Sequence, residues 1–98
     1  MTKEEAFQII HKNLDAIQGF GVARIGLFGS TMEGLASEDS DIDILVEFQK
    51  GHKSFDNFMD LKFLLEGLFS GRRIDLLTMD SLHPKLKPTV LASAQYVS

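Results

Sequence analysis

The chain has 98 residues, a formal net charge of −4, 44% apolar residues and no cysteine. That is enough for one domain, residues 1–98, with a packed interior that includes eight Phe, and too little for two. Absence of cysteine removes disulfides, thiolate zinc sites and cysteine nucleophiles, so any metal must be held by oxygen or imidazole, which favours Mg²⁺ or Mn²⁺. No apolar stretch reaches the length of a membrane span and no secretory leader pattern opens the chain, so a cytoplasmic protein is expected, with no membrane partner. Basic residues are scattered through an acidic sequence, which argues against long nucleic acid as a partner.

Thr2-Lys3-Glu4-Glu5 has the form of a capping box, and Ala6, Ile9, Ile10, Leu14 and Ile17 follow at helical spacing, predicting one amphipathic helix over 3–18. Residues 22–28, rich in branched and aromatic side chains and closed by Gly29, read as a strand. A short helical turn over 31–35 and a polar loop over 37–40 follow. Residues 41–48 form a second strand, with Ile42, Ile44 and Val46 alternating with Asp41, Asp43 and Leu45. Residues 55–69 place Phe58, Leu61, Leu65 and Leu68 on one helical face, and Phe55 and Phe69 are expected to join them in the core. Phe63 lies off that stripe and suggests a partner surface. Residues 74–79 give a third strand. Pro84 and Pro88 punctuate a C-terminal segment of one or two helical turns. The expected class is α/β (α+β), a small mixed three-stranded sheet flanked by helices.

The connection of strand two to strand three through a helix makes those strands parallel, with Asp41, Asp43 and Asp75 at strand starts. The link from strand one to strand two lets strand one run antiparallel, so Gly29-Ser30 arrives at the same edge. Glycine and serine at a strand end admit phosphate to backbone N–H groups and one hydroxyl, while carboxylates at i and i+2 project from one face toward a shared cation. Three carboxylates in one place repel each other unless a cation joins them. Together these features imply in-line transfer at a nucleotide phosphorus, driven by positioning and charge neutralisation, with Asp75 the candidate for activating the attacking hydroxyl. The Walker pattern is absent. His11, His52 and His83 are too dispersed for a recognised metal spacing. Arg72 and Arg73 are either solvated residues at the strand entry or phosphate contacts.

Leu27-Phe28-Gly29-Ser30, Gly34, Ser40-Asp41-Ile42-Asp43-Ile44-Leu45-Val46 and Ile74-Asp75-Leu76-Leu77 resemble the minimal nucleotidyltransferases of the DNA polymerase β superfamily over nearly the whole chain. The resemblance implies the nucleotidyltransferase fold, ATP as substrate with Mg²⁺ (or Mn²⁺), Asp41 and Asp43 as metal ligands, Asp75 as the third acidic residue, and Gly29 and Ser30 at the phosphates. It further implies an antitoxin paired with an all-helical HEPN ribonuclease toxin that it adenylylates on tyrosine. One departure concerns Glu33, which stands where the family commonly carries a basic residue before the next glycine; Arg72, Arg73 or Lys53 are candidates to compensate. Two further readings stay open: a catalytically weak module that neutralises a helical toxin by contact, and a small-molecule nucleotidyltransferase. For docking a partner, Phe63 and Tyr96-Val97 are the candidate contacts. Oligomeric state is left open by the sequence.

Overall fold

The computed structural model describes residues 2–33 and 41–97, with Glu33 described in its backbone only. The expected loop 37–40, Gly34 and the Glu33 side chain therefore lie outside the described residues.

Helix α1 (Lys3–Lys12) starts as its capping box dictates: the Thr2 hydroxyl accepts the Glu5 N–H at 3.1 Å, and Glu4 and Glu5 face the positive end of the helix dipole. The expected single helix over 3–18 is divided at Asn13, whose side-chain amide donates to the Ile9 carbonyl at 2.7 Å. A side chain that competes for backbone acceptors ends the helix there, and α2 (Leu14–Gln18) resumes beyond it. Both helices keep the expected apolar face, with Ala6, Ile10 and Ile17 fully buried.

Strand β1 (Val22–Leu27) pairs antiparallel with β2 (Ile42–Phe48), and β2 pairs parallel with β3 (Ile74–Thr78). Between β1 and β2 lies the short helix α3 (Gly29–Glu33), and between β2 and β3 lies α4 (Phe55–Leu68). Ser54 caps α4 by accepting the Asn57 N–H at 3.1 Å. At its other end Ser70 and Gly71 take φ of 59° and 80°, the left-handed conformation that stops a helix. A 3₁₀ turn (Met79–Ser81) and α5 (Lys87–Ser93) complete the helices. Among the described residues, none of them is long and apolar enough to cross a membrane.

The mixed sheet flanked by helices agrees with the expected class, but the three expected strands gain a fourth. Residues Gln95–Val97 form β4, which pairs antiparallel with β1 to give the order β3-β2-β1-β4. Tyr96 and Val97, expected as docking residues, are thereby engaged within the molecule. Val97 packs against the core, and the Arg24 guanidinium stacks 4.4 Å from the Tyr96 ring centroid.

Alternation along the strands sends Ile42, Ile44, Val46, Ile74 and Leu76 into the core, where they meet Leu61, Leu65 and Phe69 from the α4 region. Period two then obliges Asp43 and Asp75 to leave the sheet on the opposite side. Phe58 and Leu68 are partly buried against the same cluster, as the helical stripe predicts. Phe55 is a correction: it opens α4 one turn before the packed stripe begins and is 77% exposed. Phe63, off the stripe, is 62% exposed.

Candidate active site

Strand directions decide what meets at the edge where β1 ends and β2 and β3 begin. Asp43 and Asp75 are register partners on the parallel pair, and Leu27, the last residue of β1, stands opposite Ile44. The Ile42 N–H donates to the Arg73 carbonyl at 2.9 Å, which fixes the entry of β2 beside the entry of β3. Asp41, one residue before β2, shares the strand face of Asp43 by the i, i+2 rule.

The turn after β1 is fastened to Asp43 through side chain and backbone. The Ser30 hydroxyl donates to Asp43 Oδ2 at 2.9 Å, and the Asp43 N–H donates to Thr31 Oγ1 at 3.0 Å. The Phe28 N–H donates to the Asp43 carbonyl at 3.2 Å. Gly29 adopts φ of 60°, and a Cβ there would stand 2.9 Å from Asp43 Oδ2. Glycine thus answers two demands together, a left-handed backbone and close approach to a carboxylate. Ser30 stands where sequence reasoning put it, beside the acidic pair. Gly29 is there too, but its N–H donates to Ser93 Oγ at 3.2 Å, so that amide is engaged within the protein. Ser93 was not among the expected site residues. It is 64 positions away in sequence, and a single serine in a short helix gives no signal that could have found it.

The acidic residues differ in their surroundings. Asp75 titrates above the ordinary carboxylate range, first because the protein removes part of its water, then because Asp43 and Asp41 repel its charge; Lys62 opposes the shift. Asp41 Oδ1 lies 3.2 Å from Arg73 Nε. Asp41, Asp75 and Arg73 line a cleft of about 300 Å³ with Lys62 and Glu66 of α4. Of the cations considered as substitutes for a basic residue near position 33, Arg73 is therefore at the acidic edge. Lys53 is elsewhere, its ammonium group 2.9 and 3.0 Å from the two Asp80 carboxylate oxygens. The histidines stay apart from this chemistry where their contacts are defined: the His52 side chain lies against Gly21, and His83 Nδ1 accepts the Lys85 N–H at 3.1 Å.

Among the described residues, no three acidic or imidazole groups close into a cage that would enclose a metal ion with protein ligands alone. The donor set nevertheless fits a hard divalent cation that keeps open positions. Its atoms are carboxylate and hydroxyl oxygens, and Mg²⁺ is ordinarily held by one or two carboxylates with the rest of its shell from phosphates and water. Asp75 is held above the ordinary carboxylate range first by loss of water and then by repulsion from Asp43 and Asp41, and a cation shared by these carboxylates would relieve the repulsive part.

Comparison with known proteins agrees with this arrangement. The family model described as nucleotidyltransferase domain matches residues 8–97. A relative from Thermococcus cleftensis, named protein adenylyltransferase MntA, is 42% identical over 99 residues, spanning 99% of this chain and 97% of the relative. A solved structure described as a minimal nucleotidyltransferase superposes with a TM-score of 0.83 at 36% identity, covering 97% of this chain and 95% of the other. A more distant one, from tri-AMPylated Shewanella oneidensis HEPN toxin in complex with MNT antitoxin, shares the fold with a TM-score of 0.64 at 19% identity, covering 92% of this chain and 70% of that one. The sheet edge that gathers Ser30, Asp43 and Asp75 thus belongs to a known fold, and the chain is a member of the nucleotidyltransferase domain family, an enzyme of nucleotidyl transfer.

Proposed function

We propose that this protein transfers AMP from ATP, with Mg²⁺ or Mn²⁺, to a tyrosine hydroxyl of a helical HEPN-type partner protein, acting as the antitoxin of a toxin–antitoxin pair. The observation that carries the reading is the pairing of Asp43 with Asp75 across parallel strands beside the Ser30 hydroxyl. Support for a protein acceptor comes from the name of the Thermococcus relative and from the AMPylated toxin in the distant complex.

In this reading Asp41 and Asp43 hold the divalent cation, Asp75 completes the acidic set, and Gly29 and Ser30 adjoin the phosphates. A cation bound there neutralises phosphate charge and lowers the pKa of the attacking hydroxyl. Ser30 orients the Asp43 carboxylate by the hydrogen bond it already makes and offers its own N–H to the triphosphate. Asp75, whose affinity for a proton is raised, accepts the proton of the acceptor tyrosine as its oxygen approaches the α-phosphorus. The tyrosine O–P bond forms, the bond from the α-phosphorus to the bridging oxygen breaks, and pyrophosphate leaves. Arg73 exchanges Asp41 for the departing or incoming phosphates, a role open to an exposed guanidinium on a weak surface pair.

The test is the intact mass of a helical HEPN-type partner protein after incubation with this chain, ATP and Mg²⁺. A gain of one adenylyl group per site on tyrosine, prevented by Asp43→Asn, is the expected result. A partner inhibited stoichiometrically without any mass change would refute transfer and favour neutralisation by contact.

A further inference from the structure

The Gly29–Ser30 turn is held from outside the strand–helix unit that contains it. Ser93, the last residue of α5, places its hydroxyl between two backbone groups: it accepts the Gly29 N–H at 3.2 Å and donates to the Val90 carbonyl at 3.1 Å. A hydroxyl has one proton. With that proton committed to Val90, a lone pair of Ser93 Oγ is what faces Gly29, so the direction of the contact is set by α5 itself. On its other side Gly29 touches the Asp43 carboxylate, with room for a hydrogen but not for a methyl group. The glycine is therefore clasped between the Ser93 hydroxyl and the carboxylate that Ser30 binds.

We infer that Ser93 is a positioning residue for the nucleotide site: its hydroxyl fixes the Gly29 amide, and through it the left-handed turn that aims Ser30 at Asp43 and at the phosphates. The inference rests on the reading of this edge as an ATP site. Removing the hydroxyl leaves a half-buried N–H without its acceptor and frees the turn to rotate the amide toward solvent, which moves the Ser30 donors away from the geometry seen here. Ser93 borders an open groove of about 720 Å³ shared with Met32, Pro88, Thr89 and Ala92, so a methyl group directed to that side has space. Hence Thr preserves the contact and Val, of the same shape, abolishes it.

Mg²⁺-ATP affinity by calorimetry and thermal midpoint in chelator are compared for the wild type, Ser93→Thr and Ser93→Val. The expected result is wild-type affinity for Ser93→Thr and a loss of roughly five- to tenfold for Ser93→Val, the range expected for one orphaned amide and a displaced hydroxyl. A purely structural role would lower the thermal midpoint of Ser93→Val while leaving the affinity of the folded protein at the wild-type value, and that outcome overturns the inference. So does equal affinity of the Thr and Val variants, whatever their stability. A wild-type protein that binds no Mg²⁺-ATP overturns the ATP reading itself, and the inference with it.

Discussion

Asp43 of β2 and Asp75 of β3 are register partners on neighbouring parallel strands, so two carboxylates leave the sheet side by side with no cationic residue between them in the ladder. Such a pair is unfavourable in the resting protein and useful once a cation and a triphosphate arrive. Stability and activity therefore pull in opposite directions at Asp75. Asp75→Asn is expected to stabilise the nucleotide-free protein at neutral pH by about 0.5 kcal/mol after solvent screening, while slowing AMP transfer by at least about 10²-fold. Thermal melts in chelator and single-turnover rates check the two halves.

The same carboxyl gives a pH dependence of defined sign. Because its folded pKa lies above the ordinary value of 3.8, the folded state binds this proton more tightly than the unfolded state does. Its penalty is absent below the ordinary value and develops as pH rises through the raised one. Denaturation midpoints measured upward from pH 3.8 should fall less steeply in Asp75→Asn than in the wild type. An unchanged slope would show that Asp75 is no more proton-hungry than an isolated carboxylate.

Asp80 supplies the opposite sign far from the site. Its hydrogen bonds to the Lys53 ammonium hold its carboxyl below the ordinary range, so the stability it adds is present above the ordinary value and is lost as pH falls through the lowered one. Lys53→Met should remove that acid-limb contribution and leave Mg²⁺-ATP affinity unaltered. A weakened affinity would return Lys53 to the phosphates.

Protection by nucleotide should require metal. ATP at 100 times its dissociation constant is expected to add about 2.7 kcal/mol of stability in Mg²⁺ or Mn²⁺ and little in chelator, where the triphosphate meets only carboxylates. Asp41→Asn combined with Asp43→Asn should abolish the shift in a thermal melt. Equal protection in chelator would separate nucleotide binding from these acids.

Gly29→Ala probes the turn from the carboxylate side. The left-handed backbone alone costs an L-residue about 1–2 kcal/mol, and the added methyl presses on Asp43 Oδ2. A lowered denaturation midpoint together with loss of transfer is expected. Wild-type transfer in this variant would mean that Asp43 can be displaced without consequence.

Much of this site was legible because it follows from direction and period. Alternation in 41–48 placed Asp41 and Asp43 on one face, and a helical crossover required β2 and β3 to be parallel, which brought Asp75 to the same edge. What stayed hidden depends on single contacts. Nothing in the periodicity of 3–18 marks Asn13 as a break, since its side chain competes with the helix only through one carbonyl. Gln95–Val97 is too short to display alternation, and it becomes a strand because β1 offers an unpaired edge. Phe55 has the composition of a core residue but falls before the first packed turn of α4. The Arg73–Asp41 and Ser93–Gly29 contacts are tertiary, and neither has a pattern in the local sequence.

The Ser93 contact also ties the readiness of the site to the time order of folding. Gly29 and its buttress are 64 residues apart, and the strand that follows Ser93 has only three residues to hold it on the sheet edge. Closing so long a loop is a late, entropically costly event, and a short edge strand is among the first segments to open again in the native ensemble. A chain whose central β-α-β unit is already formed thus remains without its fastened phosphate turn until β4 docks. Each transient departure of β4 from β1 releases that turn again. Amide exchange at Ile25 and Leu27, the β1 partners of Val97 and Gln95, should accordingly report in one measurement both the fraying of the sheet edge and the fraction of molecules prepared to receive nucleotide.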